Sequence, residues 1–113
     1  MKPRVLVLLS AYNGEAFLEE QMESVLTQEG DFELCLKVRD DGSTDHTEEI
    51  VRGMAKRFPG QVLYEKGENL GYNGSFFALL DSARDCDFCA LCDQDDKWLP
   101  GKIQAGVCAI RNL

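Results

Sequence analysis

Residues 4–28, RVLVLLSAYNGEAFLEEQMESVLTQ, contain the unit from which the rest of the fold follows. The first six residues, RVLVLL, are an apolar run of strand length. A polar turn, SAYNG, occupies residues 10–14. Apolar residues then recur at an approximately helical spacing: Ala16, Phe17, Met22, Val25 and Leu26. This pattern predicts a buried strand, a turn, and an amphipathic helix over residues 15–28.

The same order of strand and helix repeats along the rest of the chain. Further strands are predicted at residues 32–38, 61–64 and 87–92, and further helices at 43–58, at 74–84 and from Pro100 onward. Strands that alternate with helices predict an α/β, Rossmann-like fold with a mostly parallel sheet, helices on both faces and right-handed crossovers. Ligands of such sheets bind outside the carboxyl ends of the strands.

Length and composition exclude several classes of protein. A chain of 113 residues with 44% hydrophobic and 28% charged residues is typical of one globular domain. A net charge of −8 argues against binding to nucleic acid or to anionic membranes, which attract basic patches. No apolar run approaches the ~20 residues of a membrane span, and VLVLL is too short for the core of a signal peptide. These features predict a cytoplasmic location.

The chain contains five cysteines: Cys35, Cys86, Cys89, Cys92 and Cys108. An odd number without a secretion signal predicts reduced thiols. Three of them follow the spacing C-x2-C-x2-C, which resembles part of a zinc or iron–sulfur pattern. Residues three apart in a strand point to opposite faces, so we expect these thiols not to converge on a metal. They are predicted to be buried small hydrophobes instead.

Polar residues concentrate where the predicted strands end. The four segments are SAYNGE (10–15), RDDGSTD (39–45), NLGYNG (69–74) and DQDD (93–96). Taken singly, the first three have simpler interpretations as turns or loops, and Ser43, Thr44 or Asp45 is a candidate cap for the second helix.

The segment DQDD is harder to explain as surface polarity. Its three carboxylates repel one another, and a helix N-terminus offsets only ~0.3–1 kcal/mol per charge. In an extended conformation Asp93 and Asp95 share a face, which favours a hard divalent cation, Mg²⁺ or Mn²⁺, between them. Asp96, close to Pro100, suits a helix cap.

Several well-known sites are missing from the sequence. There is no G-x-G-x-x-G after the first strand, no G-x-x-x-x-G-K-[ST] and no G-x-S-x-G. The single histidine, His46, follows DDGSTD and is expected to be exposed to solvent. Catalysis by histidine is therefore not predicted.

Four motifs together resemble the nucleotide-binding half of the family 2 glycosyltransferases: SAYNGEAFLEEQMESVLTQ, VRDDGSTDHT, ENLGYNGSF and LCDQDDKWLPGKI. The resemblance extends over essentially the whole chain, and bacterial rhamnosyl- and galactosyltransferases of surface polysaccharide synthesis are the most similar members. It implies a GT-A fold and an inverting enzyme that transfers sugar from a UDP-, dTDP- or GDP-sugar. The acceptor would be a saccharide or a lipid-linked saccharide.

The resemblance also implies roles for residues at the strand ends. The implied nucleotide-sugar site comprises Ser10, Ala11, Tyr12, Glu15, Asp41, Asn69, Gly71 and Asp93. Within it, Ser10 and Tyr12 would line the base pocket, and Asp41 would accept a hydrogen bond from the base. Asp93-Gln94-Asp95 would be the family's DxD motif. Asp93 would contact the ribose or the metal, and Asp95 would bind the Mg²⁺ or Mn²⁺ that bridges the diphosphate.

Two departures from the family pattern limit these expectations. Residues 71–75, GYNGS, lack the basic residue that many relatives carry there, so phosphate binding would depend more on the metal. The general base of the family is expected beyond Leu113. Residues 1–113 are thus predicted to be the donor-binding part of a longer enzyme, truncated after the DxD region, without the acceptor-binding part.

Alternative functions remain at this point. One is a truncated nucleotide-binding or assembly module without turnover. Another is a nucleotidyltransferase, although SAYNGE is not the glycine-rich and basic loop that such an enzyme needs. An open sheet edge predicts a homodimer, and the full-length protein is expected to associate peripherally with the inner face of the membrane.

Overall fold

The structure is a computed structural model that describes residues 2–82, 86–93 and 100–103. Its elements are β1 (Arg4–Ala11), α1 (Leu18–Leu26), β2 (Glu33–Asp40), α2 (Thr47–Arg57), β3 (Val62–Lys66), α3 (Gly71–Ser82) and β4 (Phe88–Asp93). The predicted alternation of strands and helices is confirmed. Of the predicted last helix, only residues 100–103 lie in the described part of the chain.

The four strands form one sheet in the order β3-β2-β1-β4, and all three neighbouring pairs are parallel. β1 lies inside this sheet, and its residues Val7, Leu8 and Leu9 are fully buried. A strand covered on both faces explains why this segment is an almost continuous apolar run. The parallel α/β fold predicted from the sequence is therefore confirmed.

Helices cover both faces of the sheet, as predicted. On one face Leu18 and Met22 of α1 and Val51 of α2 pack with Val7 and Leu9. On the other face, Phe76 and Leu79 of α3 pack with Leu6 and Leu8. Each fully buried side chain of this size contributes about 1.5–3 kcal/mol of transfer free energy.

The helices begin at different residues from those predicted. α1 starts at Leu18 rather than at residue 15, and the N–H groups of Gly14 and Glu15 before it donate to side chains of Thr47, the first residue of α2, and of Asp45. α2 starts at Thr47 rather than at residue 43. α3 starts earlier than predicted, at Gly71 rather than residue 74.

The cysteines differ from the prediction at one pair. Sγ of Cys86 and Sγ of Cys89 lie 3.1 Å apart, Cys86 is half-buried, and Cys89 is exposed. The expectation that both thiols are buried was wrong, and they lie close together because Cys86 precedes β4, so strand alternation does not apply to it. Cys92 is buried as predicted. Cys108 lies outside the described residues.

Among the described residues, no helix has the length and apolar character needed to cross a bilayer.

Candidate functional site

The sheet topology brings three of the predicted polar strand ends together. Ser10 of β1 pairs in register with Arg39 of β2 on one side and with Asp93 of β4 on the other. In the next row Ala11 pairs with Asp40, and the N–H of Asp41 donates to the carbonyl of Ala11 at 2.8 Å. The carboxyl ends of β1, β2 and β4 therefore form one continuous polar edge.

Asp41 connects this edge to the start of α3. Its Oδ1 accepts hydrogen bonds from Nη1 of Arg39 at 2.5 Å and from the N–H of Leu70 at 2.9 Å. Its Oδ2 accepts from the N–H of Gly71 at 3.1 Å. A carboxylate at a helix N-terminus satisfies free N–H groups and interacts favourably with the helix dipole. Asp41, directly after β2, thus caps α3, which explains the early start of that helix.

Arg39 is a central residue that the sequence reasoning missed. Besides Asp41, its guanidinium donates to Oγ of Ser75 at 3.0 Å and to the carbonyl of Glu68 at 3.1 Å. The Arg39 and Asp41 side chains are only 5% and 4% exposed. A Cβ at Gly67 would collide with this guanidinium, so a larger residue there would displace the Arg39 side chain from its present position. A basic residue directly before two acids at a strand end was the signal that could have found it.

Ser10 belongs to the same buried network. Its hydroxyl donates to Oγ of Ser75 at 2.5 Å, and Ser75 in α3 is fully buried. Ser75 therefore links Ser10 of β1 to Arg39 of β2. The position of Ser10 is held by two elements besides its own strand.

The segment containing Asn69 and Gly71 lies beside the RDDG turn. Gly42, with φ +79°, is so close to this segment that a Cβ would lie 3.1 Å from the backbone N of Asn69. Together with the hydrogen bonds from Leu70 and Gly71, this contact brings NLGYNG to Asp41. Asn69 and Gly71 are both exposed at this edge.

The two adjacent acids of RDDG have different surroundings. Asp40 is buried and accepts hydrogen bonds from the N–H of Ser43 at 2.9 Å and from the hydroxyl of Tyr64 at 2.8 Å. Burial and this hydrogen bond raise the pKa of Tyr64 well above its ordinary value. Asp40 therefore supports the turn and β3, whereas Asp41 contacts the loop before α3.

The turn after β1 is joined to the loop before α2 by reciprocal hydrogen bonds. The N–H of Asn13 donates to Oγ of Ser43 at 2.9 Å, and the N–H of Thr44 donates back to Oδ1 of Asn13 at 2.8 Å. Asn13 has φ +47°, a conformation that asparagine tolerates better than most residues. Tyr12, just before it, is 46% exposed.

Glu15 contacts the start of α2. Its Oε2 accepts hydrogen bonds from the N–H of His46 at 3.1 Å and lies 2.7 Å from Nδ1 of the same residue. His46 is exposed, as predicted. The hydrogen bond to Glu15, with the charges of Glu15, Glu49 and Asp45, raises the pKa of His46. Glu15 thus joins the two loops and is not brought to Asp41.

Only part of the DxD motif falls in the described chain. Asp93 ends β4 in register with Ser10, which places the start of the motif beside the predicted base-binding residues. Asp95, and with it Asp96 and Trp98, lies outside the described residues. Within residues 2–82, 86–93 and 100–103, no three potential ligands converge as a metal cluster. The metal site therefore stays a prediction.

A cleft of about 700 Å³ lies at the other end of the sheet, among residues such as Arg4, Phe32 and Cys35. Arg4 and Cys35 lie near the amino ends of β1 and β2, and Phe32 directly precedes β2. Ligands of parallel α/β sheets bind at the carboxyl ends, so we assign the candidate site to the polar edge rather than to this cleft.

Comparisons with known proteins agree with this geometry. Residues 6–112 match the family model described as Glycosyl transferase family 2. The dTDP-rhamnosyl transferase RfbG of Shigella flexneri is 29% identical over 109 residues, which cover 92% of this chain and 37% of that protein.

Two solved structures are similar over nearly the whole chain. S. aureus TarS 1–349 in complex with UDP has a TM-score of 0.82 at 25% identity, covering 99% of this chain and 32% of that one. The mannosyltransferase PcManGT from Pyrobaculum calidifontis, in complex with GDP-Man and Mn²⁺, has a TM-score of 0.82 at 26% identity, covering 95% and 32%. The chain thus spans about a third of the length of the relatives it matches.

Proposed function

The chain belongs to glycosyl transferase family 2, and from this we propose that residues 1–113 form the donor-binding part of a glycosyltransferase. The donor would be a nucleotide-diphospho-sugar, and the sugar would pass to a saccharide or lipid-linked acceptor. The observation that carries the proposal is the network of Asp41, which joins the ends of β1 and β2 to the loop before α3. This network arranges three of the four predicted strand-end segments around one edge.

In this proposal the residues of the edge hold the nucleoside. Ser10, Ala11 and Tyr12 line the base pocket, and the exposed ring of Tyr12 provides a surface for stacking. Asp41 accepts a hydrogen bond from the base. Asn69 and Gly71 contact the nucleotide from the loop before α3. Glu15 contributes indirectly, by joining the turn that carries Tyr12 to the start of α2.

We propose Asp93 and Asp95 as the residues that hold Mg²⁺ or Mn²⁺. Carboxylate oxygens are the ligands that these ions prefer, and the register of Asp93 with Ser10 supports a position beside the nucleoside. When bound, the ion would neutralise charge that develops on the departing nucleoside diphosphate. The Mn²⁺ in the PcManGT complex supports this assignment.

The stereochemistry of transfer and the class of acceptor are taken from the family resemblance. We propose transfer with inversion to an acceptor of surface polysaccharide synthesis. The similarity to a minor teichoic acid biosynthesis protein of Bacillus subtilis, 33% identical over 70 residues, supports the choice of acceptor.

Isothermal titration calorimetry tests the proposed donor site. UDP, dTDP and GDP should each be titrated into the folded chain with Mn²⁺ and again with EDTA. We expect at least one nucleotide to bind, and to bind more tightly with Mn²⁺. A chain with a native circular dichroism spectrum that binds none of the three would contradict the proposal. Assays of donor hydrolysis and sugar transfer would separate an enzyme from a binding module without turnover.

A further inference from the structure

The chain on both sides of the predicted metal-binding motif, residues 93–95, is attached to α1 and the residues that follow it. Before the motif, Sγ of Cys92 accepts a hydrogen bond from Nε2 of Gln21 at 3.1 Å. After it, the N–H of Ile103 donates to Oε1 of Gln28 at 2.9 Å. Cys92 and Ile103 are both buried in the apolar cluster that contains the inner face of α1. Two glutamine side chains seven residues apart therefore contact the chain before and after the motif.

Gln28 is itself held in place. Its Nε2 donates to the carbonyl of Ser24 in α1 at 3.1 Å, which orients the Oε1 that accepts from Ile103. Beside it, the N–H of Glu29 donates to the carbonyl of Pro100 at 2.8 Å. Gln28 and Glu29 thus fix the position of residues 100–103 relative to α1.

The side chain of Gln21 is not explained by stability. It is 3% exposed, and its Oε1 has no hydrogen-bond donor among the described residues. An amide can donate two hydrogen bonds and accept two, yet within the described residues this side chain makes one, to a sulfur atom, which is a weak acceptor. An apolar side chain of similar size would fill this space without leaving a buried polar atom unpaired. A buried amide of this kind calls for another explanation.

We propose that two glutamines, Gln21 and Gln28, are positioning residues for the predicted metal ligands of the DxD motif. The inference rests on the proposed function and adds the residues that fix where the two carboxylates lie. Divalent ions bind tightly when their ligands are held in place by neighbouring groups before the ion arrives. Gln21 holds Cys92, which directly precedes Asp93, and Gln28 restricts the position of the chain that follows the motif.

The affinity for Mn²⁺ tests the inference, measured with whichever of UDP, dTDP and GDP the wild type binds most tightly. Calorimetry gives the dissociation constant, and the electron paramagnetic resonance spectrum of Mn²⁺ reports the surroundings of the ion. Gln21→Met and Gln28→Met should each weaken Mn²⁺ binding about tenfold, the lower end of the effect of residues that orient metal ligands. Nucleotide affinity in EDTA should stay at the wild-type value, because neither substitution touches the proposed nucleoside-binding residues.

Two further readouts separate positioning from a general loss of structure. Gln21→Met should bind Mn²⁺ less tightly although its urea midpoint rises, a combination that a purely structural role would not produce. Gln28→Glu keeps an oxygen that can accept from the N–H of Ile103, so this variant should retain most of the Mn²⁺ affinity that Gln28→Met loses.

Gln61→Met is the matched control. Like Gln28, Gln61 is half-buried and donates to a backbone carbonyl, that of Leu34 at 3.3 Å. It lies directly before β3, which β2 and β1 separate from β4 in the sheet. The control should therefore lose a comparable hydrogen bond without changing the affinity for Mn²⁺.

The possible outcomes separate the inference from the proposed function. Wild-type Mn²⁺ affinity in both Gln21→Met and Gln28→Met would overturn the inference and leave the proposed function standing. An equal loss in Gln61→Met, or an equal loss of nucleotide affinity in EDTA, would also overturn it. No binding of nucleotide by a wild-type chain with a native spectrum would contradict the proposed function, and the inference with it. If one variant fails to fold, the substitution at the other glutamine still decides.

Discussion

Replacing Arg39 with methionine should destabilise the protein far more than the same replacement at an exposed arginine. Methionine keeps much of the apolar stem of arginine but removes the charge and every donor. In the folded protein the substitution leaves Asp41 without its ionic partner, and Oγ of Ser75 and the carbonyl of Glu68 without the donor from Arg39. Asp41 and Ser75 are buried, whereas the hydrogen bond to the carbonyl of Glu68 is only partly buried.

The size of the effect follows from these contacts. Removing one partner of a buried ion pair costs about 3–5 kcal/mol. Two backbone N–H groups still donate to Asp41 after the change, which places the expected loss near the lower end, about 3 kcal/mol. The free energy of unfolding of such domains is about 5–15 kcal/mol, so the variant should remain folded but with much lower stability.

Urea unfolding followed by circular dichroism measures this loss, and Arg52→Met is the matched control. Arg52 is 63% exposed, and its Nε donates to Glu48 in the next turn of α2 at 2.9 Å. Exposed pairs of this kind contribute about 0.2–1 kcal/mol, so the control should lose no more than that.

A loss for Arg39→Met that falls within about 1 kcal/mol of the control would refute the structural role assigned to Arg39. A double variant, Arg39→Met with Asp41→Asn, gives an independent check. Asp41→Asn removes the carboxylate charge that Arg39→Met leaves unpaired. The loss in free energy of unfolding caused by Asp41→Asn should therefore be smaller in the Arg39→Met background than in the wild type.

Three other predictions concern residues outside this network. Oε1 of the buried Gln21 has no hydrogen-bond donor among the described residues, so Gln21→Met should raise the free energy of unfolding by about 1 kcal/mol in urea titrations. His46, with its pKa raised by Glu15, stabilises the fold fully below about pH 6.5, and this contribution is lost as pH rises through the raised value. The difference in urea midpoint between wild type and His46→Gln should therefore be larger at pH 5.5 than at pH 8.5, with wild type the more stable. Oxidised glutathione should close a disulfide between Cys86 and Cys89, detected as two lost thiols with no bound glutathione.

Each of these predictions has a control and an outcome that contradicts it. A Gln21→Met variant less stable than wild type would show that the buried oxygen has a partner, and Gln28→Met, at a half-buried site in the same region, should give no comparable gain. If the difference in urea midpoint between wild type and His46→Gln does not change with pH, the ionic contact between His46 and Glu15 is ruled out. Partial desolvation and the contact with Cys86 raise the pKa of Cys89 to about 11, so disulfide closure should accelerate with pH, and Cys35→Ser should not slow it. Retention of both thiols at pH 9 would contradict the pairing.

Local sequence was sufficient to predict most of the fold. The apolar run of β1, the helical spacing after it and the repetition of this unit predicted a parallel sheet with helices on both faces, which the structure confirms. Such patterns are reliable because period and burial are properties of neighbouring residues. The start of α3 was predicted less well, since free N–H groups at its beginning are satisfied by Asp41, from a distant part of the chain.

The rule that ligands bind outside the carboxyl ends of parallel strands also predicted which polar segments would meet. It did not predict which partner each side chain contacts there. Asp40 and Asp41 are adjacent and chemically identical, yet one contacts Tyr64 and the other caps α3. In an extended chain adjacent residues face opposite ways, and their partners lie 24 to 30 positions further along.

The succession of strands and helices along the chain, and the polar residues that follow the strands, can thus be predicted from the sequence. Both depend on patterns among neighbouring residues. Arg39 and Asp41 are only two residues apart, but the burial of this pair and its hydrogen bonds to Ser75 and to the backbone of residues 68–71 arise only when the end of β2 meets α3 and the loop before it. Burial makes this partnership strong, since a nearly dry environment leaves neither side chain water as an alternative partner.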